Sequence, residues 1–296
     1  MRLGASGGPG ARTIYVASLG RSGSTVLSSC LAAPAGSVAI GEAFYLWSRG
    51  LSGRSRCACL RPVTECPFWR PILERVRELL GAASLDDLAA RGEHAPRLRH
   101  LRHLVRRPER VERDHLPYLE LRLALHRALV EAGHDTIVDS SKRPVELLAL
   151  SRIPEIAADL TTVHLVRHPA RTAASWSKPK PDASRVEGAL HRIGPTSSLA
   201  WWYWWNRAIR SVAATLPEPP IELHWEDVSA DPGPYLGQVL GSEARDAILI
   251  GPNQVRVEPS HQVDGNPVKL DDATGTIDLR PDDAPARLPT VAAILL

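Results

Sequence analysis

Long apolar segments are absent from this sequence, and neither sign of charge predominates. No run approaches the roughly 18 consecutive apolar residues that a membrane-spanning helix needs. The formal net charge of +3 is too small to indicate a nucleic-acid-binding protein. The first dozen residues are rich in glycine and lack the apolar stretch of a secretory signal. We therefore expect a flexible tail over residues 1–12 and a cytoplasmic protein.

Cysteine is also scarce, and three of the four cysteines crowd together at Cys57, Cys59 and Cys66. This crowding does not resemble a disulfide framework spread through a secreted domain. A zinc site is one alternative, but a Cys-X-Cys pair followed by a single cysteine does not match the paired spacings of structural zinc. A fourth ligand would have to come from elsewhere. Structural or redox-active thiols are therefore the favoured interpretation of the three cysteines. Separately, we expect that catalysis requires no metal.

Short apolar segments rich in β-forming residues alternate with helical patterns along the chain. The clearest strand candidates are residues 13–17, 136–138, 161–166 and 221–225. Helical spacing follows the first of these, and it recurs over residues 117–132 and 197–216. This alternation predicts an α/β fold, a three-layer sandwich with a central parallel sheet like that of the P-loop NTPases.

The rest of the chain fits one domain over residues 13–296. Residues 51–115 change to an arginine-, histidine- and leucine-rich composition with helical spacing, which predicts a helical insertion or cap. From Gly251 onward, glycine, proline, asparagine and aspartate dominate, so we expect loops that end in the apolar tail VAAILL.

A glycine- and serine-rich hexapeptide, GRSGST at residues 20–25, follows the first predicted strand. Small residues between a strand and a helix let successive backbone N–H groups point at one anion, and the helix dipole adds attraction. The hexapeptide alone is also compatible with a plain turn. A nucleoside-triphosphate loop would read GxxxxGK[ST], but Ser24 stands where that lysine belongs. ATP or GTP hydrolysis is therefore disfavoured.

A second motif follows the strand at residues 161–166. Arg167 leaves this strand, and Ser175 comes two helical turns later, so both side chains can reach one phosphate. With both motifs in this order, the chain resembles the sulfotransferases that use 3′-phosphoadenosine 5′-phosphosulfate (PAPS) as co-substrate. In that family the first loop binds the 5′-phosphosulfate, and an arginine followed eight positions later by a serine binds the 3′-phosphate. The resemblance implies that PAPS is bound by Arg21, Ser22, Gly23, Ser24, Thr25, Val26, Arg167 and Ser175.

The same resemblance assigns the chemistry. The segment DSSKRP at residues 139–144 lacks the histidine that the cytosolic branch of the family uses as base. The segment GSVAIGEAFYLW is similar to the tyrosylprotein-type branch and related bacterial members, which implies that Glu42 removes the acceptor proton. Lys142 then matches the lysine that contacts the phosphosulfate bridge. Asp139 is the second candidate for the base. The plain alternatives are that Glu42 is a surface or helix-capping carboxylate and that Lys142 is a solvated loop lysine.

A late loop around Gly265 and Lys269 is similar to the loop with which the family closes over the nucleotide. Beyond it the sequence departs from the family, whose members continue through an aromatic helix to a longer C-terminus. The aromatic run at residues 201–205 surrounds a predicted helix, so it cannot face one core. Acceptor or partner contact and packing under the insertion both remain open for this run.

We therefore expect a sulfotransferase that acts on a hydroxyl or amine of a small-molecule, glycolipid or secondary-metabolite acceptor, with no nucleic-acid partner. Two rival functions remain: a nucleotide kinase or NTPase of the same general fold, and a noncatalytic nucleotide-binding scaffold. The histidine- and arginine-rich residues 91–113 are compatible with a solvated helical face, and also with attraction of an anionic acceptor or peripheral contact with a membrane surface.

Overall fold

A parallel five-stranded sheet forms the centre of the computed structural model, which describes residues 10–177, 193–264 and 275–281. The sheet order is β2-β3-β1-β4-β5, and all four neighbouring pairs run parallel. Most of the predicted tail, the loop residues Gly265 and Lys269, and the segment VAAILL lie outside the described residues. The strands of this sheet are β1 (Arg12–Ser18), β2 (Ser37–Gly41), β3 (Thr136–Lys142), β4 (Leu160–Val166) and β5 (Ile221–His224).

Alternate residues of the central strand enter two separate hydrophobic cores. Tyr15 and Ala17 of β1 belong to one buried cluster, while Ile14 and Val16 belong to the other. This alternation follows from the two-residue period of a strand, whose successive side chains point to opposite faces. Both faces of the sheet are therefore covered, and the predicted three-layer α/β fold with a central parallel sheet is confirmed.

The helices that cover the sheet come from every part of the described chain. The α-helices are α1 (Ser24–Leu31), α2 (Trp69–Leu80), α3 (Leu85–Glu93), α4 (Leu101–Arg106), α5 (Glu109–Asp114), α6 (Leu116–Glu131), α7 (Pro144–Leu150), α8 (Pro154–Ala157), α9 (Pro169–Ser177), α10 (Pro195–Ala213), α11 (Trp225–Ala230), α12 (Pro232–Leu240) and α13 (Ser242–Ile248). Among them, none is both long and apolar enough to cross a membrane.

The predicted helical segment at residues 51–115 contains α2, α3, α4 and α5. Its buried side chains, Trp69 and Leu88 among them, belong to the same cluster as Leu121 and Leu125 of α6. The serine before α3, Ser84, accepts a hydrogen bond from the backbone N–H of Asp87, which returns the contact in a capping box. The segment thus shares the core of the sheet and has no separate core of its own.

Two regions differ from the sequence prediction. Residues 37–41, too short to assign from the sequence, form β2 at the edge of the sheet. The expectation of loops from Gly251 onward is wrong, because β7 (Gln254–Arg256) pairs with β6 (Leu249–Gly251) and with β8 (Thr276–Asp278) in an antiparallel sheet. Val255 and Ile277 are buried there with the apolar face of α12. Three-residue strands among glycine, proline and aspartate leave too little periodicity to detect.

The sheet order places a crevice between β1 and β4. After β1 the chain crosses to β2 on one side of the sheet, and after β4 it crosses to β5 on the other side. Where the direction of winding reverses, the two following loops separate and leave room at the carboxyl ends of the strands, and ligands of open α/β sheets bind there. The two predicted anion-binding motifs follow these two strands.

Candidate active site

The first anion-binding motif forms the turn from β1 into α1. Gly23 caps the helix in the left-handed region with φ 89°, and Arg21 also has a positive φ of 75°. The first backbone hydrogen bond of this turn runs from the N–H of Leu27 to the carbonyl of Gly23. The N–H groups before Leu27 therefore have no partner within the helix, which is the arrangement that binds anions.

The side chains of this loop differ in what they contact. The Ser22 hydroxyl donates to the carbonyl of Leu19, and Ser24 and Thr25 are buried in the first turn of α1. Val26 packs against the hydrophobic core on this face of the sheet. The Ser22 hydroxyl is thus engaged within the loop, while Val26 anchors the start of α1 to the core.

Two tryptophans pack closely against the glycines of this loop. A Cβ atom added at Gly20 would lie 3.1 Å from the Trp176 ring on α9. A Cβ atom added at Gly23 would lie 2.3 Å from two ring atoms of Trp225, which follows β5. The loop is therefore held between the segments that follow β4 and β5, and glycine is needed at Gly23 both for its φ angle and for this contact.

The second motif lies against the first. Arg167 donates from Nη1 to the carbonyl of Arg21 at 2.7 Å. Arg21 in turn donates from Nε to the Ser175 hydroxyl at 3.2 Å and from Nη2 to the Ser175 carbonyl at 2.9 Å. Two arginines from the two motifs are thus linked at the crevice between β1 and β4, and their positive charge favours the binding of anions there.

Glu42 and Lys142 form an ion pair at the carboxyl ends of the neighbouring strands β2 and β3. The Lys142 Nζ lies 2.6 Å from the Glu42 Oε1, and the two side chains are only 8% and 13% exposed. Lys142 has a φ of 68°, a left-handed conformation that costs a residue with a Cβ atom about 1–2 kcal/mol. Such strained residues cluster at functional sites, where the surrounding structure holds them in place.

The late segment of the chain, residues 261–264, contacts the backbone of Glu42. The N–H of Glu42 donates to the carbonyl of Val263 at 2.8 Å, and Val263 also pairs with Gly41. A Cβ atom at Gly41 would lie 2.6 Å from the Val263 backbone, so only glycine permits this approach. Asp264 extends the contact through an ion pair with Arg49 at 2.6 Å.

Asp139, the second candidate for the base, lies in a buried network of its own ion-pair partners. Its side chain is 1% exposed and forms an ion pair with Arg122, which also lies 3.0 Å from Glu146. Tyr118 donates to Glu146 at 2.6 Å. Burial raises the pKa of Glu146, although the Arg122 charge opposes this. The surroundings of Asp139 therefore suit a structural role.

The aromatic run on α10 contributes residues whose positions the sequence left open. Trp205 donates from Nε1 to the carbonyl of Ser18 at 2.8 Å and to that of Lys142 at 3.3 Å, so it spans the ends of β1 and β3. Trp202 donates to the carbonyl of Arg167 at 2.8 Å, beyond the end of β4. Tyr203 and Trp204 are exposed on the outer face of the helix. The run thus divides between the site and the surface.

Comparison with known proteins assigns the chain to a family. The sequence pattern described as the sulfotransferase family matches residues 13–242, which include both candidate anion-binding loops and the Glu42–Lys142 pair. Among solved structures, the chain is similar to the sulfotransferase domain from the curacin biosynthetic pathway, at 16% sequence identity and a TM-score of 0.43. That match covers 82% of this chain and 76% of the other. No curated protein matches the sequence. Since the family pattern spans most of the chain, the protein belongs to the sulfotransferase family.

Proposed function

We propose that this sulfotransferase takes its sulfuryl group from PAPS. The main support for this proposal is the contact between the two motifs, in which Arg21 donates to Ser175 and Arg167 donates to the backbone of Arg21. PAPS has anionic groups on both the 5′ and the 3′ side of its ribose, so its binding requires two adjacent anion sites. The loop before α1 suits the phosphosulfate, and the Arg167–Ser175 motif suits the 3′-phosphate. Ordinary nucleoside triphosphates lack the second group.

The acceptor reacts beside the Glu42–Lys142 pair. Glu42 accepts the proton from the acceptor hydroxyl or amine, whose oxygen or nitrogen forms a bond to sulfur. The bond between sulfur and the bridging oxygen breaks, and adenosine 3′,5′-bisphosphate leaves with the electron pair of that bond. Lys142 and Arg21 stabilise the negative charge that develops on this leaving group. Gly265 and Lys269 belong to the same proposal as residues that close over the nucleotide.

Aromatic side chains near Glu42 favour an acceptor with an apolar or ring-bearing portion. Phe44 and Tyr45 lie two and three positions after Glu42, and their rings are 5.2 Å apart in an edge-to-face arrangement. The guanidinium group of Arg143 lies 4.4 Å above the Phe44 ring and donates to the Tyr45 hydroxyl at 2.9 Å. These groups offer stacking and charge to one acceptor, which is consistent with a small molecule or glycolipid headgroup.

Calorimetry with adenosine 3′,5′-bisphosphate and ADP tests the proposed donor. We expect the bisphosphate to bind more tightly than ADP, and Arg167→Ala and Ser175→Ala to raise its Kd about 10- to 100-fold, since a lost hydrogen bond to a charged group costs about 1.5–3 kcal/mol. Arg210→Ala is the matched control, because Arg210 lies on α10 with its side chain 60% exposed and pairs with Glu222. Equal binding of both nucleotides would refute the proposed donor and favour a kinase or scaffold.

Glu42→Gln tests the base. We expect sulfuryl transfer from labelled PAPS to a panel of phenols and amines to fall about 10²- to 10⁴-fold, while binding of the bisphosphate is unchanged. Glu120→Gln is the control, because Glu120 is a similarly hidden carboxylate that pairs with Arg91 at 3.1 Å. Full activity of Glu42→Gln would remove Glu42 from this role.

A further inference from the structure

We propose that Cys57, Cys59, Cys66 and His261 bind one zinc ion with a structural role. One ligand atom from each residue lies within 4.8 Å of the other three. This proposal is independent of the proposed donor and acceptor, because none of the four residues belongs to either anion-binding loop or to the Glu42–Lys142 pair.

Four of the six distances between the ligand atoms are close to those of a tetrahedral ligand set. The Cys66 Sγ lies 3.5 Å from the Cys57 Sγ and 3.6 Å from the Cys59 Sγ. The His261 Nδ1 lies 3.4 Å from the Cys57 Sγ and 3.3 Å from the Cys66 Sγ. With Zn–S bonds of about 2.3 Å and Zn–N bonds of about 2.0–2.1 Å, the edges of a tetrahedron measure about 3.5–3.8 Å. A metal ion would therefore need only small movements of these side chains.

Local structure brings the three cysteines together. The N–H of Cys57 donates to the carbonyl of Arg61, and the N–H of Leu60 donates to the carbonyl of Cys57, so residues 57–61 form a tight turn. Leu60 has a φ of 66°, which this turn requires. Cys66 lies just before α2, where its carbonyl accepts from the N–H of Arg70. Cys57 and Cys66 are fully buried, and Cys59 is half-buried.

The late segment delivers the histidine in a defined orientation. Residues 57 and 263 form an antiparallel bridge, and the N–H of Ala58 donates to the carbonyl of Gln262. The Phe68 ring stacks on His261 at 5.1 Å with an interplanar angle of 7°, and the Trp69 indole donates to the His261 carbonyl at 2.6 Å. These contacts hold the imidazole so that its Nδ1 faces the thiols, as neighbouring groups orient the ligands of established metal sites.

Four protein ligands leave no open coordination position, which indicates a structural zinc rather than a catalytic one. The ion would join the insertion to the segment that contains Val263, whose carbonyl accepts from the N–H of Glu42. Zinc would thereby stabilise the backbone beside the proposed base. Loss of the metal is expected to loosen residues 261–264 and to reduce activity indirectly.

Metal analysis of the purified full-length chain, prepared without a metal-affinity tag or chelator, tests the proposal. We expect about one zinc per chain in the wild type, and a loss of most of it in Cys66→Ser, Cys59→Ser and His261→Ala. His261→Cys should retain zinc, because it restores a fourth ligand. Cys30→Ala is the matched control, since Cys30 is a buried thiol of α1 in the other core. Cobalt exchanged into the wild type should give the visible bands of a tetrahedral thiolate site.

Several results would overturn the proposal. Peptide mapping of the native protein that shows a disulfide among the three cysteines would do so, and so would a metal-free wild type that stays metal-free after reduction and incubation with zinc. Iron in place of zinc, or zinc retained in both Cys66→Ser and His261→Ala, would equally contradict it. If the variants at the buried positions fail to fold, two other measurements report zinc binding. One is the zinc content of Cys59→Ser, whose position is only half-buried, and the other is removal of the metal from the wild type by a chelator.

Discussion

Replacement of Gly23 by alanine tests whether the first anion-binding loop depends on its close contact with Trp225. The change adds one methyl group at a position with φ 89°, 2.3 Å from two atoms of the Trp225 ring. Alanine therefore meets two separate obstacles, an unfavourable backbone conformation and a steric overlap. Gly133→Ala is the matched control, because Gly133 has φ 94° and no atom within 4 Å of an added Cβ atom.

The two obstacles have separate magnitudes. The left-handed backbone costs alanine about 1–2 kcal/mol, which both variants share. The overlap with Trp225 adds about 1–3 kcal/mol, the usual cost of an extra methyl group in a packed site. In a chain of this size each kcal/mol lowers the Tm by about 2–4 °C. Gly23→Ala should therefore unfold about 2–12 °C below Gly133→Ala.

Thermal unfolding with and without adenosine 3′,5′-bisphosphate measures both consequences. We expect the nucleotide to raise the Tm of Gly133→Ala as it does that of the wild type, and to raise that of Gly23→Ala much less, because the loop must shift. Trp225→Ala removes the steric overlap. In that background Gly23→Ala should therefore lower the Tm only by the amount due to its backbone conformation, relative to Trp225→Ala alone. An equal Tm for Gly23→Ala and Gly133→Ala would refute the reasoning.

Two further predictions concern stability. Burial lowers the pKa of His126 from 6.5 to about 4, with the neighbouring Arg122 and Arg127 charges acting in the same direction and Glu155 against it. The unfolded chain therefore binds the extra proton first, so stability is lost as the pH falls from 6.5 towards 4. We expect the wild type to lose about 3 kcal/mol more than His126→Gln over this range in urea unfolding, and parallel pH profiles would contradict this. Tyr118→Phe removes the buried hydrogen bond to Glu146 and should cost about 1–3 kcal/mol, whereas Tyr203→Phe, at an exposed position, should change stability by less than about 0.5 kcal/mol. The same denaturant curves measure both variants, and an equal cost for the two would show that the Glu146 contact is not stabilising.

Much of the fold could be predicted because its signals are local. The predicted helix at residues 117–132 corresponds to α6, and the predicted strands at 161–166 and 221–225 correspond to β4 and β5 within a residue or two. Apolar periodicity reports burial directly, and glycine marks a turn without reference to distant parts of the chain. The edge strand β2 and the small antiparallel sheet were beyond this reasoning, because three to five residues do not define a period.

The candidate site shows the same division. The sequence by itself determined the two candidate anion-binding motifs and their order along the chain, because each motif is a short segment that can be recognised locally. Only the tertiary structure decided that Arg21 donates to Ser175 and that Asp139 forms an ion pair with Arg122. It also decided that Trp205 contacts the ends of both β1 and β3. It also brought His261 to Cys66 across 195 positions of sequence. Contacts of this length depend on how the sheet and helices pack, and no local spacing of residues encodes them.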